Sequence, residues 1–207
     1  MATSGTDESE LIDDGADGRV ARRERNRDAV VDAIMVLIQS GETQPSMADV
    51  ARLAGVSERS IFRHFETRDA LFAAVIERQL EVVSALLQEV PTSGSLADRV
   101  DAIVDGRARL YEEITPMRRA ALQFAEVSDQ VAERLADSRQ WLRDELEEVF
   151  ARELTRRPVA ERRDLLAAVA MTTSWEAWNL LRTVEGCSVV RARRVVGRTL
   201  IRQLAGS

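Results

Sequence analysis

The side chains best suited to chemistry in this sequence crowd into one short run, Glu58, Arg59, Ser60, Phe62, Arg63, His64 and Arg68. Arg59 can donate two hydrogen bonds to O6 and N7 of a guanine, and Glu58 can accept from N4 of a cytosine. Glu58 also has a plain structural use, because an acid in the first turn of a helix interacts favourably with the helix dipole. Ser60, Arg63, His64 and Arg68 carry donors suited to phosphate oxygens. Phe62 offers only a ring, which can touch a sugar or a thymine methyl. Upstream, residues 19–27 (RVARRERNR) hold five Arg against one Glu, Arg23 and Arg27 among them. Such a basic arm can contact phosphates or enter a minor groove, or it is simply a solvated helix start.

These residues need a scaffold, and the surrounding pattern supplies one. Met47, Val50, Ala51 and Ala54 recur at helical spacing behind Ser46, a good N-cap, with Asp49 near the positive end. Gly55 follows, where a positive backbone angle is free of strain. Ser57 caps a second short helix whose buried stripe is Ile61 and Phe65, and Thr67 caps a third that starts at Arg68. Two short helices joined by a glycine turn form a helix-turn-helix, whose second helix lies in the DNA major groove. Ser46 and Ser57, at the helix starts, are counted with the candidate DNA contacts. An earlier helix carries Val30, Ile34, Leu37 and Ile38 inward and ends before Gly41.

The run Asp49-Val50-Ala51, then Ala54-Gly55-Val56-Ser57, then Ser60-Ile61-Phe62-Arg63-His64-Phe65, then Arg68-Asp69-Ala70-Leu71 resembles the DNA-binding domain of the tetracycline-repressor (TetR) family, over roughly residues 25 to 75. His64 falls on that motif's own histidine. Phe62 stands where the family usually has tyrosine, and Phe cannot donate to a phosphate. Arg68 stands where the family often has a phosphate-binding lysine; Arg keeps the charge and adds a fork of donors. The resemblance implies a repressor released from a pseudo-palindromic operator by a small-molecule effector bound in the C-terminal domain. It also implies a homodimer in which the last two helices of each subunit form a four-helix interface. A DNA-associated helical protein with no small-molecule effector, regulated by a protein partner, is the alternative.

Composition bounds the rest. The chain has 207 residues and a formal net charge of −6. That charge belongs to residues 1–18, which hold six acids and no Arg; residues 19–70 carry nine Arg and eight acids, and residues 71–207 twenty Arg and twenty-one acids. An acidic total therefore does not exclude DNA, because phosphate affinity follows local Arg placement. Every basic residue other than the one histidine is Arg. His64 is the sole histidine, which excludes a histidine-ligated metal site or a Ser-His-Asp triad elsewhere. Cys187 is alone, so neither an intramolecular disulfide nor a thiolate cluster can form. No catalytic residue, metal or cofactor is expected. No signal segment or apolar run of ~18 residues occurs, so a cytoplasmic protein without membrane contact is expected.

The fold class expected is all-α, with about nine helices: residues 1–18 a disordered acidic tail, 19–75 a three-helix DNA-binding domain, and 76–207 a helical ligand-binding and dimerisation domain. The helix from Arg68 to about Leu87 links the two. Residues 95–114 form a helix with Leu96, Val100, Ile103, Leu110 and Ile114 on one stripe. Arg107 shares that stripe and either meets an anionic ligand or pairs with an acid. Thr115 and Pro116 start a further helix with Met117, Ala121 and Phe124 inward. A longer one runs from Ser128 to about Arg156, flanked by Trp141. Pro158 begins the most apolar helix, with the uncharged row LLAAVAMTTSW from Leu165 to Trp175, and a final helix follows Gly186. Tyr111, Phe124, Trp141 and Trp175, with Arg107, are the expected ligand contacts. Trp178, Val189, Val196, Leu200 and Leu204 are the expected dimer contacts.

Overall fold

The computed structural model describes residues 10–205, with side-chain placement from residue 18 onward. All regular structure among them is helical. The chain divides into two compact units, residues 1–78 and 79–207.

The first unit is built from α1 (Glu10–Gln39), α2 (Met47–Ala54), α3 (Glu58–His64) and the start of α4 (Arg68–Leu86). Val30, Ile34 and Ile38 of α1 close on Val50 and Ala51 of α2 and Ile61 of α3, all buried. Phe65, Leu71 and Val75 are buried in the same unit. Arg78 of α4 ties back to α1 through Asp32 (2.7 Å) and Asp28 (3.2 Å). Residues 1–9 of the expected tail lie outside the described residues. Residues 10–18, also assigned to that tail, stand in α1: extending a nucleated helix fixes one residue per new hydrogen bond, so even a polar, glycine-bearing stretch can join it.

The second unit contains the end of α4, then α5 (Leu96–Phe124), α6 (Asp129–Val149), α7 (Ala151–Thr155), α8 (Val159–Thr172), α9 (Trp175–Asn179), a π-helical turn (Leu180–Val184) and α10 (Val189–Ala205). Helix α5 packs along α10 and against α6, and α8 packs between α6 and α10. Their shared core includes Val100, Ile103, Tyr111, Leu146, Phe150, Val169, Val196 and Leu200.

Three boundaries differ from the sequence reading. First, α5 runs straight through Pro116. A proline inside a helix costs about 3 kcal/mol, but Leu110 and Tyr111 before it, and Met117 and Ala120 after it, are all buried. Burying each large apolar side chain is worth roughly 1.5–3 kcal/mol, so packing on both flanks outweighs the local penalty. Second, the helix expected over 128–156 breaks at Phe150, whose backbone sits at φ −106°, ψ 20°. Arg99 stabilises the break by donating to the Val149 carbonyl at 2.6 Å. The same guanidinium forms a bidentate pair with Glu153 at 2.9 and 2.6 Å and lies over the Phe150 ring. Third, the helix expected from Pro158 stops at Thr172. Ser174 takes an extended backbone and accepts from Ala177 N at 3.1 Å, capping α9. The row TTS offers hydroxyls that compete with the helix ladder, and here the competition ends the helix.

Candidate nucleic-acid interface

Helix α3 is held from both ends. Gly55 adopts φ 67°, ψ 29°, the left-handed conformation that closes α2 and turns the chain. Ser46 caps α2, accepting from Asp49 N at 3.1 Å and donating to its carboxylate at 2.6 Å; the Arg52 guanidinium, and after it the Ser46 hydroxyl, hold the Asp49 carboxyl below its usual range. Ser57 then starts α3 with φ −82°, ψ 152°, its Oγ accepting from Ser60 N at 3.2 Å. Both serines are thus occupied as caps.

With Ile61 and Phe65 buried, α3 turns Glu58, Arg59, Phe62 and Arg63 outward, and Ser60 and His64 are half-buried. Phe62 is 60 % exposed, so its ring is available on the outer face of α3. Arg59, Arg63 and Arg68 form no salt bridge among the described residues, which leaves three guanidinium forks unspent. Arg23 is exposed, whereas Arg27 lies over the Phe65 ring at 5.3 Å, so part of its role is to pack α1 against the unit. Both nitrogens of His64 are shielded and without a hydrogen-bond partner. Burial, then the charges of Arg63 and Arg23, push its pKa below the ordinary 6.5. The neutral form of the imidazole is therefore favoured.

The residues expected around a ligand do not form one cluster. Arg107 is buried, bonded to Glu145 at 2.7 Å and to the Leu142 carbonyl at 3.0 Å, so its charge is already used inside the fold. Trp141 is 48 % exposed on the outside of α6. Tyr111 and Trp175 are buried and polar-satisfied: Tyr111 Oη donates to the Thr173 carbonyl at 2.8 Å, and Trp175 Nε1 donates to Thr115 Oγ1 at 3.0 Å. Burial pushes the Tyr111 hydroxyl up to about 12. Phe124 closes α5, half-buried. An open groove of about 720 Å³ lies elsewhere, between α5 and α10, walled by Asp101, Val104, Asp105, Arg193, Arg194 and Gly197 among others, and none of the five lines it. Sequence reasoning missed Arg118, which is 7 % exposed and lies over the Trp175 ring. The signal was available, since 107, 111, 114 and 118 share one helical stripe once the helix continues past Pro116.

The residues expected at the dimer contact lie in or against the second unit's own core. Trp178, Val196, Leu200 and Leu204 belong to the second unit's own core, and Val189 packs against it. A helical stripe records burial, and burial within one chain has the same periodicity as burial between two. The large apolar side chains left outside on α8 and α10 are Val159, Met171, Val190 and Val195.

A capped two-helix unit with a free polar face on its second helix defines a helix-turn-helix DNA-binding domain, here joined to an all-helical second domain. Residues 30–75 match the model of the family described as bacterial regulatory proteins, tetR family. The likeness to that family is carried by these N-terminal residues. One relative is the HTH-type transcriptional activator FasR of Mycolicibacterium smegmatis (strain ATCC 700084 / mc(2)155), 30% identical over 88 residues, 42% of this chain. The match spans 40% of that relative's length. A transcriptional regulator from Rhodococcus sp. Rha1 shares the fold with a TM-score of 0.61 and 22% identity, over 86% of this chain and 93% of that one. No helix among the described residues is long and apolar enough to cross a membrane.

Proposed function

We propose that the protein regulates transcription as a homodimer that reads a pseudo-palindromic DNA operator with one α3 helix per subunit. The observation that carries this is α3 itself: capped, anchored by Ile61, and presenting Phe62 together with Arg59 and Arg63, which form no salt bridge among the described residues. The proposed dimer surface joins neighbouring α8 and α10, where Met171 and Val195 stand exposed. Its half-sites fall about one helical turn or a little more apart. Repression relieved by a small molecule in the second domain is the proposed mode. The effector must bind more tightly to the form that does not fit DNA. The name of the Mycolicibacterium relative makes activation the second reading. A reporter under the selected operator separates the two, because deleting the regulator raises expression under repression and lowers it under activation.

The test of DNA reading starts from sites selected out of a random DNA pool. Arg59→Ala should relax preference at one base pair per half-site, by ~1–3 kcal/mol of discrimination. Arg68→Ala should weaken binding to all sequences alike and lower the salt slope by roughly one unit per lost contact. Failure of the pool to yield any enriched site would overturn the reading. The opposite pattern in the two variants would exchange their roles.

A further inference from the structure

The second unit buries three arginines, and they differ in how well they are paired. Arg99 has a bidentate carboxylate at 2.6 and 2.9 Å. Arg107 has one at 2.7 Å. Arg118 is as deeply buried, yet its nearest carboxylate, on half-exposed Glu176, stands 3.5 Å away. Its other polar contact is Ser138 Oγ at 3.4 Å; the Nε is without a partner in all three arginines, so the difference lies in the terminal nitrogens. Burial outweighs its counter-charges and lowers its pKa, and the positive charge of Arg139 adds to the strain. A buried cation with such loose pairing is costly, and a fold keeps one where a charge is to be supplied from outside.

Its surroundings look like a built site. Trp175 lies under the guanidinium at 5.8 Å. Trp175 is fixed by Thr115, and Tyr111 is fixed by the carbonyl of Thr173 at the α8–α9 break. Just beyond α9 the chain takes its π-helical turn, a form that recurs at functional sites. We propose that Arg118, between α5, α6 and α9, is the anion-binding group of the effector site, taking a carboxylate or phosphate whose apolar body lies against Trp175. Binding displaces Glu176, the fold's own weak counter-ion. This rests on the reading of the second domain as an effector domain.

The probes are benzoate, octanoate and phenyl phosphate, with benzamide, octanamide and phenol as uncharged counterparts. They are titrated into the full chain by calorimetry and tryptophan fluorescence. At least one anion should bind saturably, tenfold or more tighter than its uncharged counterpart. Carboxylate against phosphate preference then assigns the source. Arg118→Met should lose that binding tenfold or more. Glu176→Gln, at an exposed position where folding is safe, should tighten it severalfold because the internal competitor is gone. A merely structural Arg118–Glu176 pair would not give that gain. The proposal is overturned if no anion saturates, if anion and amide bind alike, or if Glu176→Gln weakens binding. Operator titrations run beside these keep the two readings apart. Anions that bind but leave the DNA complex intact overturn ligand release and keep the site. Release by an uncharged compound, undiminished in Arg118→Met, does the reverse.

Discussion

Ser57 separates two roles that the geometry superimposes: starting α3 and standing where DNA backbone would pass. Replacing it with Ala removes the Oγ that accepts from Ser60 N at 3.2 Å. That N–H is not stranded, because the Ser57 carbonyl also accepts from it at 2.8 Å. Loss of an N-cap ordinarily costs 0.5–2 kcal/mol, and the retained backbone bond places this case near ~0.5–1 kcal/mol. If the first unit melts as a small domain, each kcal/mol moves Tm by ~4–8 °C, so a fall of about 2–8 °C is expected. Ser57→Asp restores an equally good cap and should melt within about 2 °C of the parent. It also sets a negative charge at the candidate phosphate contact. Operator affinity should therefore fall most at low salt, where the repulsion is least screened, and the salt dependence should become shallower. The assay is thermal melting with fluorescence anisotropy on operator DNA at several salt concentrations. Should Ser57→Asp melt as early as Ser57→Ala, the capping argument is wrong. Undiminished low-salt DNA binding by Ser57→Asp would show that the start of α3 does not face the backbone.

Three further outcomes follow from the packing and the titrating groups. Arg99→Met leaves Glu153 buried without its partner and should cost ~3–5 kcal/mol by denaturant unfolding, whereas the double variant Arg99→Met/Glu153→Met should recover much of it; the Arg99 hydrogen bonds also hold the Glu153 carboxyl below its usual 4.5, so this contribution is present above that value and lost as acid titration passes through the lower folded pKa. The single histidine gives one pair of imidazole C–H signals in proton NMR, and their shared midpoint should lie below 6.5; since the fold disfavours its charged form, stability should be constant above that pH and decline below it, while operator DNA should move the midpoint upward. Met171→Glu with Val195→Glu should give folded monomers by sedimentation, whereas Leu200→Glu, at a fully buried position, should lose the cooperative unfolding transition; intact dimers in the first variant would remove α8 and α10 from the interface.

What could be read from the sequence was mostly local. Ser46, Gly55 and Ser57 announce their roles because capping and left-handed turns are settled within four residues, and the outward set on α3 follows once Ile61 and Phe65 are placed inward. Thr115-Pro116 looks like a helix start by the same local rules, but packing on both flanks overrides them. That single boundary hid Arg118, since ending the helix at residue 114 removes it from the stripe that holds Arg107 and Tyr111. Arg107 and Arg118 are indistinguishable by periodicity; only the distances to Glu145 and Glu176 tell a satisfied cation from a poorly satisfied one. The breaks at Phe150 and Ser174 depend on Arg99 and on competing hydroxyls, which no stripe of apolar residues reports.

The π-helical turn at Leu180–Val184 has a consequence for how this chain can change over generations. A π turn holds one residue more than the α turn it replaces, so it is the natural scar of a single-residue insertion. The extra residue is accommodated locally: Glu185 N reaches back to the Leu180 carbonyl, and Arg182 binds both Glu112 and the Cys187 carbonyl. Trp178 before the turn and Ala192, in the separate helix α10 after it, are both buried. Deleting Thr183 should restore an ordinary α turn, and the non-helical stretch 185–188 before α10 should absorb the one-residue change, leaving α10 in its own register. Relatives without the insertion should thus align with a one-residue gap between Asn179 and Gly186, and substitutions on its two sides should drift independently.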